Sequence, residues 1–241
     1  MIMSPIESNL QQIRRETDAA IAGLPSDRRQ NVTIVAVSKT MPASAVRKAV
    51  HVGQRHFGEN YVQEGVAKMA ELSDLGRQGE QGVAWHFIGP LQSNKTKLVA
   101  QHFDWVHGVD RLKIAETLSR ARESTDISDA MQPLNICIQV NVSGEASKSG
   151  LKPDEVVALA QQVAVLPSLR LRGLMTIIEN TPDIATQRLQ FRQMRDCQLQ
   201  LLNAGLAVDT LSMGMSQDFK VAIEEGATMI RIGSAIFGPR H

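Results

Sequence analysis

The sequence has 241 residues, 43% of them hydrophobic and 21% charged, and its 26 basic and 25 acidic side chains give a formal net charge of +1. This balance, without a long basic run, argues against a protein that neutralises the phosphates of a nucleic acid. No apolar run is long enough to span a bilayer and no secretion signal opens the chain, so we expect a cytoplasmic protein.

A helix-capping signature stands at the start of the chain. Ser4, Pro5 and Glu7 provide an N-cap, a first-turn proline and a carboxylate that reaches back to the cap. This signature predicts a helix that ends near Gly23.

From Val32 onward, short aliphatic or β-branched runs alternate with longer stretches of helical period, as in repeated β-α units. The predicted strands span residues 32–38, 55–58, 84–89, 105–109, 134–141, 171–176, 209–214 and 228–233. The predicted helices span residues 43–51, 61–72, 95–101, 111–122, 153–166, 186–204 and 217–225, with at most one short turn after the last strand.

Eight such units favour a closed (β/α)8 barrel, the TIM barrel of the α/β class. A barrel of this kind takes about 250 residues, so the chain is long enough for one and has little left over. A flavodoxin-like open sheet would leave strands unused. We therefore expect a single domain over residues 1–241, with one extra helix before the first strand.

Lys39 is the first candidate for a functional group, because active sites of these barrels lie at the carboxyl ends of the strands. It directly follows the first predicted strand, and strand alternation places Val35, Val37 and Lys39 on one face. If that face lines the barrel, the amine projects into its mouth. A lone lysine at this position more often just reaches solvent, so the interpretation depends on its neighbours.

The segments after the last two predicted strands are rich in glycine and serine. Loops at these two places, with the start of a short helix, form the phosphate sites of many such barrels. We therefore predict an anion cup, built from backbone amides and hydroxyl groups at Ser212, Gly214, Ser216, Gly233, Ser234 and Gly238. Taken singly, each glycine is equally consistent with an ordinary turn.

Arg231 alternates with Ile230 and Ile232, so it faces the opposite side of its strand from two large apolar residues. If that side is the barrel interior, the guanidinium needs a carboxylate or a ligand acceptor as its partner. The alternative is a surface pair among the helices. An amine, a phosphate cup and an arginine match the aldehyde, phosphate and ring nitrogen of pyridoxal 5′-phosphate, which we predict as a Schiff base on Lys39.

Other strand ends supply further candidates around the same mouth. We expect Asn60 to hydrogen-bond near the ring hydroxyl, His86 to pack near the site and Met175 to line the ring pocket. Lys148 is a candidate for a second, weaker site, although a solvated lysine is the more frequent case. The remaining histidines show no metal-ligand spacing and are expected to pack or lie at the surface: His51, His56, His102, His107 and His241.

Six segments resemble, in consistent order, the pyridoxal phosphate homeostasis proteins, also called the YggS-like family: AVSKT, FGENYVQE, HFIGPLQSNK, GLMT, SMGMS and RIGSAIFG. The resemblance implies a barrel like the N-terminal domain of alanine racemase, with the cofactor on Lys39. It also implies phosphate contacts at Ser216, Gly233 and Ser234 and a ring-nitrogen contact at Arg231. The implied role is not catalytic: the family binds the cofactor, limits its free concentration and passes it to apo-enzymes.

Two features of the sequence favour binding over catalysis. No second domain is expected to supply a base opposite Lys39, and an arginine at the ring nitrogen leaves the ring a weak electron sink. Two catalytic alternatives stay open: a weak amino-acid racemase with Tyr61, His86 or Lys148 as second base, and a Schiff-base aldolase acting on a phosphorylated sugar. We expect a monomer whose protein partners are transient apo-enzymes.

Overall fold

The computed structural model describes residues 4–76, 82–124, 132–145 and 148–239. Helix α1 (Pro5–Ala22) begins at the predicted capping box: Ser4 N donates to Glu7 Oε2 at 2.7 Å, and Glu7 N donates to Ser4 Oγ at 3.4 Å. The predicted opening helix is therefore confirmed. His241 lies outside the described residues.

In the described part of the chain, eight parallel strands close into a barrel in sequence order. The strands are β1 (Thr33–Val37), β2 (His56–Glu59), β3 (Ala84–Phe87), β4 (Trp105–Val109), β5 (Leu134–Gln139), β6 (Leu169–Met175), β7 (Thr210–Ser212) and β8 (Met229–Ile232). Pairing of β8 with β1 closes the barrel. The (β/α)8 prediction is confirmed.

Helices cover the outside of the barrel, and each predicted helix is present. They are α2 (Ala43–His51), α3 (Val62–Glu71), α4 (Thr96–His102), α5 (Leu112–Glu123), α6 (Val156–Ala164), α7 (Ile184–Asn203), α8 (Phe219–Glu224) and α9 (Ser234–Phe237). A 3-10 turn at Pro153–Glu155 precedes α6. The seventh strand ends two residues before its predicted end, since Gly214 has φ +96° and lies outside the β region. No described helix is long and apolar enough to cross a membrane.

Strand alternation divides the apolar residues into two cores. Ala36 belongs to the large core between strands and helices, whereas Val35 belongs to a small cluster inside the barrel with Trp105, Cys137, Met175 and Met229. The predicted orientation of β1 is therefore confirmed. Other buried positions on the strands carry polar side chains, among them His86, His107, Ser212 and Arg231.

Helix α1 packs against α8 and α9 on the outside of the barrel. Asn9 Nδ2 donates to the carbonyl of Ile236 in α9 at 3.0 Å, and Glu16 pairs with Lys220 of α8 at 2.8 Å. A one-turn helix such as α9 is not stable by itself, so packing must hold it. The extra helix therefore supports the short helix that follows β8.

The cap of α1 provides a first test. We expect Ser4→Ala to lower the free energy of unfolding by about 1 kcal/mol, because two amides at the helix start lose their reciprocal capping arrangement. Urea unfolding followed by tryptophan fluorescence measures this. Ser8→Ala, on the exposed face of the same helix, serves as the control and should have little effect. Equal stabilities of the Ser4 variant and the wild type would contradict the assigned cap.

Candidate functional site

A cavity of about 480 Å³ opens at the carboxyl ends of the strands, where this fold places its active sites. Its volume lies within the usual range of small-molecule sites, about 300–1,000 Å³. Six of the predicted site residues line it: Lys39, Asn60, Ser216, Arg231, Gly233 and Ser234. Side chains from the two ends of the chain therefore meet in one place.

Lys39 stands in a tight turn of residues 38–41 that follows β1. The turn is closed by a hydrogen bond from Met41 N to the carbonyl of Ser38 at 3.0 Å. Its third residue, Thr40, has φ +65°, a conformation usually left to glycine. Such strain costs about 1–3 kcal/mol and persists only where surrounding contacts impose it. One such contact is the bond from Thr40 N to Glu64 Oε1 at 2.6 Å.

An ion cluster of the buried Glu59 and Lys68 with the half-buried Glu64 lies against this turn. Lys68 Nζ is 2.6 Å from Glu59 Oε1, 3.1 Å from Glu64 Oε1 and 2.7 Å from the carbonyl of Ser38. Ser38 Oγ also donates to Glu59 Oε1 at 2.7 Å. The cluster therefore anchors the backbone on both sides of Lys39.

Sequence reasoning missed this cluster, although part of its signal was visible. Glu64 and Lys68 are four residues apart on α3, the spacing of a helical ion pair. Burial raises the pKa of the Glu59 carboxyl, and the ammonium of Lys68 opposes that rise. The Oε2 atom of Glu59 has no hydrogen-bond partner within the described residues. The ionised carboxylate thus depends on Lys68.

Arg231 projects into the barrel, as predicted, and lines the cavity. Its Nη1 donates to the carbonyl and to Oγ of Ser212 at 2.6 and 2.7 Å, and its Nη2 donates to the carbonyl of Thr176 at 2.8 Å. Of the two expected partners, a carboxylate or a ligand acceptor, no carboxylate is bonded to it within the described residues, because these acceptors are neutral. Burial lowers the pKa of Arg231 to about 10, with the charge of Asp218 opposing, so the guanidinium stays charged at neutral pH.

The residues of the predicted anion cup come together in part. The hydroxyls of Ser216 and Ser234 are 3.5 Å apart, and Gly233 precedes α9, whose first amides have no carbonyl partner inside the helix. Gly214 and Gly238 do not line the cavity. A Cβ at Gly214 would lie 2.7 Å from that of Ala222, so this glycine is needed for packing against α8.

A smaller cavity of about 230 Å³ adjoins the first and shares Asn60 and Lys148 with it. Met175 lines this second cavity. Asn60 Oδ1 is buried and has no hydrogen-bond partner in the part of the chain that is described. Because buried polar atoms are normally satisfied, a ligand is a natural partner for it. Lys148 pairs with Glu145 at the rim.

His86 and Ser212 do not line the cavity but lie beneath it, and both are fully buried. His86 is the middle member of a histidine chain formed by His56, His86 and His107. His56 Nδ1 contacts His86 Nε2 at 2.9 Å, His86 Nδ1 contacts His107 Nε2 at 2.9 Å, and His107 Nδ1 contacts Ser212 Oγ at 2.8 Å. The expectation that His56 and His107 only pack or lie at the surface is therefore corrected.

The histidine chain is not a metal centre. No group of His, Cys, Asp or Glu residues within the described ranges is arranged to hold a metal ion. Burial lowers the pKa of His86 and His107 well below the ordinary value, so both rings are neutral. Of the three suggested second bases, Tyr61 and His86 do not line the cavity, whereas Lys148 does.

Comparisons with known proteins agree with this fold. A family model described as "Alanine racemase, N-terminal domain" matches residues 6–241. Over 241 residues the chain is 52% identical to the "Pyridoxal phosphate homeostasis protein" of Pseudomonas aeruginosa, covering 99% of this chain and 97% of that protein. The structure of PipY from Synechococcus elongatus PCC7942 with PLP bound matches with a TM-score of 0.81 at 37% identity, covering 97% and 100% of the two chains. Alanine racemase from Corynebacterium glutamicum matches in fold alone, with a TM-score of 0.66 at 16% identity over 97% of this chain and 60% of that one.

The buried ion cluster makes a testable contribution to stability. We expect Lys68→Met to lower the free energy of unfolding by about 3–5 kcal/mol, because Glu59 is left buried without its cation. Glu59→Gln added to that variant should restore part of the loss. Arg47→Met, which breaks the exposed pair with Asp74, is the control and should change little. Equal urea midpoints for both single variants would contradict the assignment.

The histidine chain predicts that stability falls in acid. Burial lowers the pKa of His56, His86 and His107 in the folded state. In acid the unfolded chain therefore binds protons that the folded chain does not. Histidine in the unfolded chain has a pKa of about 6.5, so stability that is present above this pH is lost as the pH falls below it. Urea unfolding between about pH 7 and pH 5 measures the slope. His86→Leu should flatten it and His102→Asn should not; parallel curves for all three proteins would refute the prediction.

Proposed function

The chain belongs to the alanine racemase N-terminal domain family and to its pyridoxal phosphate homeostasis proteins, and on that premise we propose that it binds pyridoxal 5′-phosphate in the cavity at the carboxyl end of its barrel. One observation carries the proposal. An amine, a buried guanidinium and a pair of hydroxyls beside a helix start, from Lys39, Arg231, Ser216 and Ser234, line the same cavity. A relative of the same fold has been solved with this cofactor bound.

The residues present fit the cofactor group by group. Ser216, Gly233 and Ser234 would hold the phosphate, Arg231 would donate to the ring nitrogen, and Asn60 offers its unpartnered Oδ1 near the ring substituents. Lys39 would take the aldehyde, since its Nζ would form a C=N bond with the aldehyde carbon and release one water molecule. Met175, in the adjoining cavity, would line the ring pocket.

We further propose that the protein is a carrier rather than an enzyme. Arginine does not give up its proton, so Arg231 would keep the ring nitrogen an acceptor and leave the ring a weak electron sink. The bond to Lys39 is reversible by water, which suits a protein that limits the free cofactor and passes it to apo-enzymes. Those apo-enzymes are its proposed transient partners, and the barrel is proposed to act as a monomer.

The low-activity racemase alternative now depends on Lys148, because it lines the cavity together with Lys39. An amino acid attached to the cofactor would need a proton donor on the face opposite Lys39. Chiral analysis of L-alanine incubated with the loaded protein tests this. Racemisation that is lost in Lys148→Gln would favour the enzyme, whereas its absence in the wild type would favour the carrier.

Binding at Lys39 is tested directly by colour and covalent trapping. We expect the wild type mixed with pyridoxal 5′-phosphate to absorb visible light, and borohydride reduction to fix a phosphopyridoxyl group on the peptide that contains Lys39. Lys39→Ala should lose both signals because the amine is missing. Lys97→Ala, which removes an exposed lysine, should keep them. A wild type that stays colourless and unlabelled would refute the proposal and favour the sugar-phosphate aldolase.

A further inference from the structure

The histidine chain runs through the barrel interior, from the amino-terminal end of the strands toward the cavity. His56 is the first residue of β2. His86 pairs with Gly58 across the sheet, so it lies two residues further along than His56. His86 in turn pairs with Trp105, two residues before His107. Steps of two residues keep all three imidazoles on one face of the sheet. His107, the last of the three, contacts Ser212, which in turn binds Arg231.

The histidine contacts of this chain are compatible with either tautomer, and we assign their direction from the guanidinium of Arg231 at one end. A guanidinium only donates, so Ser212 Oγ accepts from Arg231 Nη1 at 2.7 Å. The single hydroxyl hydrogen of Ser212 is then free to donate to Nδ1 of His107. A neutral histidine that accepts at Nδ1 carries its hydrogen on Nε2, and that hydrogen points to the next ring.

The remaining two rings follow the same rule, since a neutral imidazole that accepts at Nδ1 donates from Nε2. His107 Nε2–H donates to His86 Nδ1, and His86 Nε2–H donates to His56 Nδ1. The reverse order would place two donors on Ser212 Oγ and turn its hydroxyl hydrogen away from the chain. Every contact is therefore satisfied when all three imidazoles carry their hydrogen on Nε2.

Filling space does not explain the chain. Five interior positions of the barrel form an apolar cluster, and a buried imidazole costs stability unless its polar atoms are bonded. The orientation of His86 is further fixed by Trp105, which stacks on it with ring centroids 5.3 Å apart and an interplanar angle of 16°. The hydrogen-bonded series of three histidines and Ser212 ends at Arg231. Of these five residues, Arg231 is the one that lines the cavity.

We propose that Ser212 and the histidine chain are positioning residues for Arg231, holding its guanidinium as an oriented donor toward the ring of the bound ligand. This inference rests on the proposed function for the identity of that ligand. Without the Ser212 hydroxyl, Arg231 keeps its bonds to the carbonyls of Ser212 and Thr176 but loses the contact that ties it to the ordered rings. The hydrogen-bond order itself is a property of the protein without ligand.

The ligand-free protein gives the first test. Long-range ¹H–¹⁵N NMR of the histidine side chains at neutral pH should show the neutral Nε2–H form for His56, His86 and His107. A hydrogen on Nδ1 of His107, or a charged ring at that position, would overturn the proposed direction. This result does not depend on whether pyridoxal 5′-phosphate binds.

The second test measures the dissociation constant for pyridoxal 5′-phosphate by visible absorbance. We expect Ser212→Ala to weaken binding about fivefold, the effect of one buried hydrogen bond, and Ser212→Thr to restore it because the hydroxyl returns. His56→Leu should disturb the tautomers of His86 and His107, whereas His56→Asn, with an acceptor in place of Nδ1, should preserve them. His102→Asn, a histidine outside the chain, is the control.

The two tests distinguish a failure of cofactor binding from a failure of the positioning role. A wild type that binds no cofactor would overturn the proposed function and leave the NMR result intact. A wild type that binds, with Ser212→Ala, Ser212→Thr and the control all binding equally well, would overturn only the positioning role. Thermal unfolding of each variant identifies any loss of binding that comes from loss of fold, and Ser212→Thr then decides the matter by its rescue.

Discussion

A charge buried in a protein interior must be surrounded by polar partners, and two buried cations impose this condition on the structure around the cavity. Lys68 meets it with carboxylates from β2 and α3 and with the carbonyl before Lys39. Arg231 meets it with two carbonyls and one hydroxyl.

The bonding partners of the two cations differ in chemistry, and this difference suits two different roles in the site. Lys68 is neutralised by full charges, which makes a rigid anchor for the strained turn that presents Lys39. Within the described residues Arg231 is bonded only to neutral groups, so its positive charge is not cancelled by direct contact and stays available to the cavity. The first arrangement fixes where the amine stands, and the second keeps a cation in the same site.

Support for the anion cup comes from outside the barrel. Helix α9 is a single turn, and its contact with α1 through Asn9 and Ile236 ties it to one of the longer helices in the described structure. Gly214 allows α8 to approach the loop after β7. The flexible parts of a typical barrel site are thus held by packing, which favours a preformed cavity for a small anionic ligand.

Much of this organisation was determined by the sequence alone. The capping box, eight β-α alternations, the inward face of Val35, Val37 and Lys39, and the inward arginine all follow from local periodicity, which acts over a few residues. The ion cluster and the histidine chain were decided by tertiary structure. His56, His86 and His107 lie on three different strands, and Lys68 reaches the turn at Lys39 from a helix. These contacts depend on strand register and barrel closure, which no local pattern encodes, because side chains far apart in sequence become neighbours only when the sheet closes.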